Sequence, residues 1–320
     1  MRTKKPLISI SIPVLNEEDN LLFLYDRLDA LSKKMSELCD IEFVFSDNHS
    51  DDRTWDILQD LSSKDDRIKG IRFSKNYGFQ RSIFANYIHT SGDAVMQIDA
   101  DLQDPPEMLS DFFTKWQQGY HVVYGVRKNR IENVFIKTLR RVGYWFIDKI
   151  SEHSIPRDAG DFRLIDRKVV DALIKMSTPT PYLRGMIAGL GFNQIGIDYD
   201  RSARVAGESK FNVPRLMMLG LTAVFNHSVV PLRLASFLGG AMLFLSSFGA
   251  LYYFLLKFLY PELPPGLASI HILVLFGIGL NAFLLGLIGE YLLRIYLVVR
   301  SEPIAIIEQS LNISEENLRL

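Results

Sequence analysis

Cysteine is almost missing from this sequence: Cys39 stands alone among 320 residues, which excludes an intramolecular disulfide framework and fits a reducing compartment. A small, partly buried apolar role is expected for that thiol. Excess charge of one sign is missing too, since 36 Lys and Arg face 37 Asp and Glu, for a formal net charge of -1. No global basic field exists to hold nucleic acid, so none is expected as a partner. Nor is there a dinucleotide fingerprint: the first turn reads Pro13-Val14-Leu15-Asn16-Glu17, and the later Gly189-Leu190-Gly191 lacks the third glycine. Hydride transfer with a nicotinamide cofactor is thereby disfavoured.

Charge is absent altogether from two long stretches. Leu234 to Leu256 is 23 residues without a formal charge and Leu263 to Gly289 is 27, with only Lys257 to Glu262 between them. About 20 apolar residues cross a bilayer, so the pattern predicts a membrane hairpin. Arg215 and Arg233 precede it, Arg294 and Arg300 follow it, and the connection offers only Lys257. The positive-inside rule then puts both termini and the large N-terminal domain in the cytosol. No acid falls inside either charge-free stretch, the next being Glu290, so no ion path is expected. His271 and Asn281 are expected to make polar contacts between helices or subunits. Ala235, Gly239 and Gly240 permit close helix packing of the kind a homo-oligomer, up to a tetramer, would use. The basic start Met1 to Lys5 does not lead to a leader peptide, because its apolar stretch stops at Asn16-Glu17-Glu18-Asp19 with no small-residue cleavage site.

What the first part of the chain does contain is alternation. Leu7 to Pro13 is a β-rich run, and a helical pattern with apolar Leu21, Leu24, Leu28 and Leu31 follows from Glu17 to about Leu38. Strands are predicted again at Ile41 to Ser46, Ile68 to Phe73, Ala94 to Ile98 and Tyr120 to Val126, with helices after Asp51-Asp52 and from Gln80 to His89. Strands and helices in turn imply an α/β fold with a mostly parallel sheet, which binds ligands beyond the carboxyl ends of its strands. Asn16-Glu17, Asp47-Asn48 and Asp99-Ala100-Asp101 all fall at such ends.

The last of these is the most informative. Asp99 and Asp101 lie two residues apart where a strand stops, before Leu102-Gln103-Asp104-Pro105-Pro106-Glu107 opens a helix. In extended geometry both carboxylates face one way and can reach one hard cation. Such an ion would neutralise a departing diphosphate, the main charge problem in moving a sugar off a nucleotide.

Together with Ile10 to Glu18, Asp47 to Asp52, Ser74-Lys75-Asn76-Tyr77-Gly78, Arg201 to Lys210 and the two terminal spans, this turn gives the resemblance. The chain resembles the inverting GT-A glycosyltransferases of family 2, in the branch of bactoprenol (undecaprenyl-phosphate) glucosyltransferases and dolichol-phosphate mannose synthases. The resemblance implies a Rossmann-like GT-A catalytic domain followed by interfacial helices and the hairpin, in the inner membrane of a bacterial-type cell. It implies that Pro13, Glu17 and Asp47 line the base and ribose, that Asp99 flanks the diphosphate, and that Asp101 and Gln103 join it around Mg²⁺ or Mn²⁺. Plainer roles exist for two of these: Asp47 as an Asx turn or helix cap, and Glu17 as a first-turn acid on the helix dipole. One departure stands out, because Asp47-Asn48-His49-Ser50 occupies the place of the family's Asp-Asp-Gly-Ser.

Further on, Arg127 ends the predicted strand, and Phe135, Ile136, Leu139, Tyr144, Trp145 and Phe146 recur among Lys137, Arg140 and Arg141. That is a basic, aromatic amphipathic helix suited to a membrane interface. By resemblance Arg127, Arg140 and Arg141 hold the acceptor's phosphate. Asp161, with Asp158 second, resembles the acid placed close to the reacting atoms, a helix cap being the plainer role. A base matters little here, since a phosphate monoester has a second pKa of about 6 and arrives mostly deprotonated. Arg201-Ser202-Ala203-Arg204-Val205-Ala206-Gly207-Glu208-Ser209-Lys210 matches the family's R-x-x-R-x-x-G-x-S-K loop, where Arg204, Ser209 and Lys210 wrap the diphosphate and Arg204 and Lys210 stabilise it as it leaves, the loop itself closing over the donor as a mobile lid.

The resulting expectation is a cytosolic GT-A domain over 1–210, a juxtamembrane amphipathic helix over 211–232, spans over 233–257 and 266–293, and a cytosolic tail over 294–320, read as a short helix or loose end. Its implied reaction is transfer of a hexose from a nucleotide sugar, UDP-glucose before GDP-mannose, to a polyisoprenyl phosphate. A processive polysaccharide synthase is disfavoured because no Q-x-x-R-W stretch occurs. The rival of another class is a catalytically silent membrane scaffold that keeps the GT-A fold.

Overall fold

A computed structural model describes residues 5–127, 159–176, 181–200, 266–300, 303–314 and 318, with individual positions between 235 and 259. The chain divides into two compact units, one of Met1–Asp148, His153–Lys210 and Ser301–Leu320, the other of Lys149–Glu152 and Phe211–Arg300.

In the first unit β1 (Leu7–Val14), α1 (Leu21–Met35), β2 (Asp40–Asp47), α2 (Thr54–Ser62), β3 (Ile68–Phe73), α3 (Phe79–His89) and β4 (Ala94–Gln97) alternate as the hydrophobic pattern predicts. A short 3₁₀ turn, Pro106–Met108, leads into α4 (Leu109–Gln117), followed by β5 (Val122–Arg127), β6 (Ala159–Asp166), α5 (Arg167–Lys175), α6 (Leu183–Gly189) and β7 (Gln194–Tyr199). The second unit holds α7 (Leu267–Val299), after which the chain returns to the first as β8 (Ile307–Leu311). The eight strands form one sheet in the order β7-β5-β6-β4-β1-β2-β3-β8. Strands β4, β1, β2 and β3 run parallel, as do β5 and β7, whereas β6 is antiparallel to both β4 and β5 and β8 is antiparallel to β3.

Burial explains the centre of the sheet. Ile8, Ile10, Ile12 and Val14 share one face and pack with Leu21, Leu24 and Leu28 of α1, whose i, i+3, i+7 spacing makes one apolar stripe. Each leucine fully buried there contributes roughly 2 kcal/mol. The opposite face carries Ser9 and Ser11, whose hydroxyls donate to Glu42 Oε1 at 2.5 Å and Gln97 Oε1 at 2.7 Å. Farther along that face Ile83, Phe84 and Tyr87 of α3 meet Val95, Val122 and Ile165. A sheet covered on both faces is what parallel strands require. Cys39 is buried as expected, and burial pushes its thiol up to about 11, which favours the protonated form.

Two expectations change. The tail is neither a helix nor loose: β8 pairs with β3, Ser74 N donates to Ile306 O at 3.0 Å, and Asn312 Nδ2 donates to Ser62 O and Ile68 O. Without β8 the backbone edge of β3 would lack its partner, and strand addition satisfies it. Asp161 lies inside β6 rather than at a helix cap; the cap of α5 is Asp166, which accepts from Lys168 N. Asn281 bonds within its own helix, to Gly277 O at 2.9 Å.

Helix α7 has 33 residues, about 50 Å at the α-helical rise, against a hydrocarbon core of about 30 Å. Its only formal charges are Glu290 and Arg294, and Leu273, Phe276, Phe283 and Leu285 are exposed along it. Among the described residues it is the one helix long and apolar enough to cross a membrane. The span predicted over 233–257 is described only at individual positions, which are helical, with Phe237, Phe244 and Phe248 exposed. The predicted helix over 211–232 and the basic aromatic segment around Arg140 and Arg141 lie outside the described residues.

Candidate active site

The carboxyl ends of β2, β1 and β4 lie side by side, and each runs into a loop containing a non-glycine residue with left-handed backbone: Asn16 at φ 55°, His49 at φ 64° and Leu102 at φ 60°. Asn and, less often, histidine are found in that region, but a leucine there is strained by about 1 kcal/mol or more. Such strain persists only where surrounding contacts over-determine it, and it clusters at functional sites.

Those contacts are visible. Asn16 N donates to Ser50 Oγ at 2.9 Å, Asp51 N to Asn16 Oδ1 at 2.9 Å, and Glu17 N to Thr54 Oγ1 at 2.8 Å, so the first two loops brace each other. Asn48 Nδ2 donates to Asn76 Oδ1 and Asn48 Oδ1 accepts from Tyr77 N, both at 2.8 Å, which ties in the Ser74 to Gly78 segment. His49 Nδ1 lies 3.0 Å from Phe73 O and 3.9 Å from Glu308 of β8. The glycine that the resemblance implies at position 49 would suit a left-handed turn, and here histidine holds that backbone with its ring at the Phe73 carbonyl.

Between these loops opens a cleft of about 390 Å³, walled by Pro13, Leu15 and Glu17 from the first loop, Asn48 from the second, Asn76, Gly78, Phe79 and Ser82 around the start of α3, and Asp99 and Asp101. Pro13, Glu17, Asp99 and Asp101 thus line one cleft. Glu17 is not a first-turn acid, because α1 begins only at Leu21; its Oε2 accepts from Asn20 Nδ2 at 2.8 Å. Asp47 is fully buried behind the wall, where Oδ1 accepts from Ser50 N and Ser50 Oγ, and Oδ2 lies 3.5 Å from Arg72 Nε. Burial outweighs the Ser50 hydrogen bonds and Arg72 and raises its pKa. The side chain acts as the Asx-type anchor of the loop.

The two carboxylates are not presented by extended backbone. Strand β4 stops at Gln97, a turn covers Ala100 and Asp101, and Gln103 N donates back to Asp101 Oδ1 at 3.2 Å. Gln103 is buried beside them rather than on the cleft wall. Two carboxylates and an amide are hard oxygen donors of the kind that suit Mg²⁺ or Mn²⁺. Among the described residues no three His, Cys, Asp or Glu side chains gather as a metal cage. An ion held by two carboxylates and completed by water and substrate phosphate does not need one.

Across β4, strands β6 and β5 and helix α6 bring Arg163, Arg127 and Arg184 near one buried carboxylate. Asp161, buried in β6, takes a bidentate pair from Arg184, with Nε to Oδ1 at 3.0 Å and Nη2 to Oδ2 at 2.8 Å, and Arg163 Nη2 lies 3.3 Å from Oδ1. Burial works against its charge, but Arg184, Arg163 and Arg127 prevail and hold its pKa below the ordinary value. Gln80, next to Phe79 of the cleft, reaches the same carboxylate at 3.4 Å. Arg127 ends β5 and donates from Nε to Tyr199 Oη at 3.2 Å, while Tyr199 donates to buried Asp104 at 2.5 Å. Burial opposes the charge of Arg127, but the Tyr199 hydrogen bond and the charges of Asp104 and Asp99 more than offset it, and its pKa rises. Sequence reasoning did not find Arg184, Tyr199 or Asp104. Asp104 had a signal in its place on the acidic turn, whereas Arg184 and Tyr199 had none. Asp158, Arg140, Arg141, Arg204, Ser209 and Lys210, with the predicted lid, lie outside the described residues.

A mostly parallel sheet with antiparallel β6, an acidic turn after β4 and a cleft over three strand ends define a GT-A glycosyltransferase domain. The sequence profile of Glycosyl transferase family 2 matches residues 9–174, and the chain belongs to that family. It is 34% identical over 311 residues to the SfII prophage-derived bactoprenol glucosyl transferase of Shigella flexneri, covering 95% of this chain and 98% of that one. It is 37% identical over 316 residues to the uncharacterized glycosyltransferase YkcC of Bacillus subtilis, covering 98% and 96%. Among solved structures, a mannosyltransferase of Pyrobaculum calidifontis in complex with GDP-Man and Mn²⁺ aligns with TM-score 0.49 and 17% identity, over 70% of this chain and 64% of that one.

Proposed function

We propose that this glycosyltransferase moves a hexose from a nucleotide sugar, UDP-glucose, to a polyisoprenyl phosphate, undecaprenyl phosphate, with inversion, giving a β-linked polyprenyl-phosphate sugar for glycan or lipopolysaccharide modification. The observation that carries this reading is the cleft where Pro13, Glu17, Asp99 and Asp101 converge, in a chain matched almost end to end by relatives named bactoprenol glucosyl transferase. Pro13 and Glu17 would take the base and ribose, over a loop that Asp47 anchors. Asp99, Asp101 and Gln103 would hold Mg²⁺ or Mn²⁺, which when bound neutralises the departing diphosphate.

The acceptor phosphate arrives mostly as a dianion, so no strong base is needed. Asp161, held ionised by two arginines, is a poor base and orients Arg184, Arg163 and Gln80 around the sugar. Arg127, with Arg140 and Arg141, takes the acceptor phosphate, and Arg204, Ser209 and Lys210 close over the donor diphosphate. The spans over 233–257 and 266–293 would form the hairpin that keeps enzyme and lipid in one plane, with the domain over 1–210 and both termini cytosolic. The exposed apolar surface of α7 supports that placement.

The test offers UDP-glucose, UDP-galactose, UDP-GlcNAc and GDP-mannose separately to detergent-solubilised protein with undecaprenyl phosphate and Mg²⁺, then weighs the lipid by mass spectrometry. A hexosyl-phosphoryl lipid from UDP-glucose is expected. Product from GDP-mannose alone would replace the donor, and product from none would overturn the acceptor or, if no donor binds, favour a silent scaffold.

A further inference from the structure

Arg127 is the last residue of β5 and pairs in register with Tyr199, the last of β7. A strand end leaves a long side chain several rotamers, yet here one is selected. Arg127 Nε donates to the Tyr199 hydroxyl at 3.2 Å, and that hydroxyl donates its single proton to Asp104 Oδ1 at 2.5 Å. The order of donors is fixed by chemistry, since a guanidinium only donates and a carboxylate only accepts. Burial and Asp104 push the tyrosine up to about 12, so it remains an O–H donor.

Space for this chain is cut by two glycines. A methyl group on Gly125 would sit 2.7 Å from both the Phe162 and Tyr199 rings, and one on Gly160 would sit 3.2 Å from Arg127 Nη2. The Tyr199 ring packs on Phe162 at 5.2 Å between centroids, in a site where Tyr199 and Asp104 are nearly inaccessible. With Nε bound to Tyr199, the guanidinium keeps Nη2 against Gly160 and stands within electrostatic reach of Asp161 and Asp99. Planar guanidinium groups take phosphate oxygens through such an edge.

We propose that Tyr199 and Asp104 are positioning residues that set Arg127 to receive the phosphate of the acceptor. This rests on the acceptor reading above. The acidic turn would then do two tasks: Asp99 and Asp101 face the donor cleft, while Asp104, through the hydroxyl of Tyr199, aims the acceptor's cation, so one turn registers both substrates.

The experiment measures steady-state transfer to undecaprenyl phosphate, and separately donor binding by titration with Mn²⁺, for wild type, Tyr199→Phe, Asp104→Asn, Arg127→Ala and the double variant Tyr199→Phe/Arg127→Ala. Losing a hydrogen bond to a charged group predicts an acceptor KM about 10-fold higher in Tyr199→Phe, with donor affinity unchanged. Asp104→Asn, which keeps an acceptor for the hydroxyl and guards against a Phe variant that fails to fold, shifts acceptor KM in the same direction. In the Arg127→Ala background Tyr199→Phe has no further effect. An unchanged acceptor KM in both single variants, a parallel loss of donor affinity, or full additivity in the double variant would overturn the proposal. Wild type that binds donor but transfers to no polyisoprenyl phosphate overturns the acceptor reading instead, and is seen before any variant is compared.

Discussion

The indole nitrogen of Trp55 donates to the side-chain oxygen of Gln309 at 2.7 Å, joining α2 to a strand 254 residues later. Gln309 belongs to β8, so the segment after the apolar helix is part of the catalytic sheet. Ending the chain after Glu302 removes that strand, bares the edge of β3 and strips His49 of its Glu308 neighbour. Thermal unfolding of the truncated protein should fall well below that of the full chain. Gln309→Ala should cost only about 1 kcal/mol, the worth of one hydrogen bond. Equal melting temperatures for the truncated and full-length proteins would show that β8 contributes nothing.

His49 holds a left-handed backbone, φ 64°, that glycine adopts without cost. His49→Ala keeps the strain and loses the ring's contact with Phe73 O, whereas His49→Gly loses the contact but relieves the strain. The glycine variant should therefore be the more stable of the two by about 1 kcal/mol. Denaturant unfolding of both variants checks the order, and an alanine variant as stable as the glycine one would contradict it.

Asp101 lies on a turn at the cleft, outside the apolar core, and in the proposed reaction it serves the donor diphosphate. Asp101→Ala should reduce lipid-linked sugar formation about 100-fold or more while leaving circular dichroism unchanged. Near-normal turnover with metal present would sink the metal assignment.

Asp161 carries a depressed pKa in the folded protein. A carboxylate so held contributes stability that is complete above its unfolded value of about 3.9 and is lost as pH falls through the folded one. Arg184→Ala should cost about 2 kcal/mol at pH 7, since it leaves part of a buried charge uncompensated. The gap between variant and wild type should narrow below about pH 4, as both carboxylates become protonated. Unfolding measured across that range decides it, and a gap constant down to pH 3 would exclude Asp161 as the source.

Some of this molecule was legible before any coordinate. The stripe Leu21, Leu24, Leu28 and Leu31 repeats with the helical period, and the β-rich runs at Leu7 and Ile41 mark strands, because local periodicity reflects which face is buried. The rule that parallel sheets bind ligands at their carboxyl ends then brought Pro13, Glu17, Asp99 and Asp101 to one place. Local pattern also marked the charge-free run of α7.

Only the tertiary structure decided the rest, since pairing between distant segments leaves no periodic trace. Nothing local in Ile307–Leu311 announces that it completes a sheet begun at Leu7, because a short edge strand needs only a partner backbone. Asp47 looked like a ligand and became an anchor once burial enclosed it. Asp161 met Arg184 because β6 entered the sheet antiparallel, and Tyr199 met Asp104 across 95 residues because β7 closed beside β5. The sequence by itself determined the glycosyltransferase class and which strand ends form the cleft; the fold decided which carboxylates line that cleft and which pair with an arginine, because that depends on contacts made only when the sheet is complete.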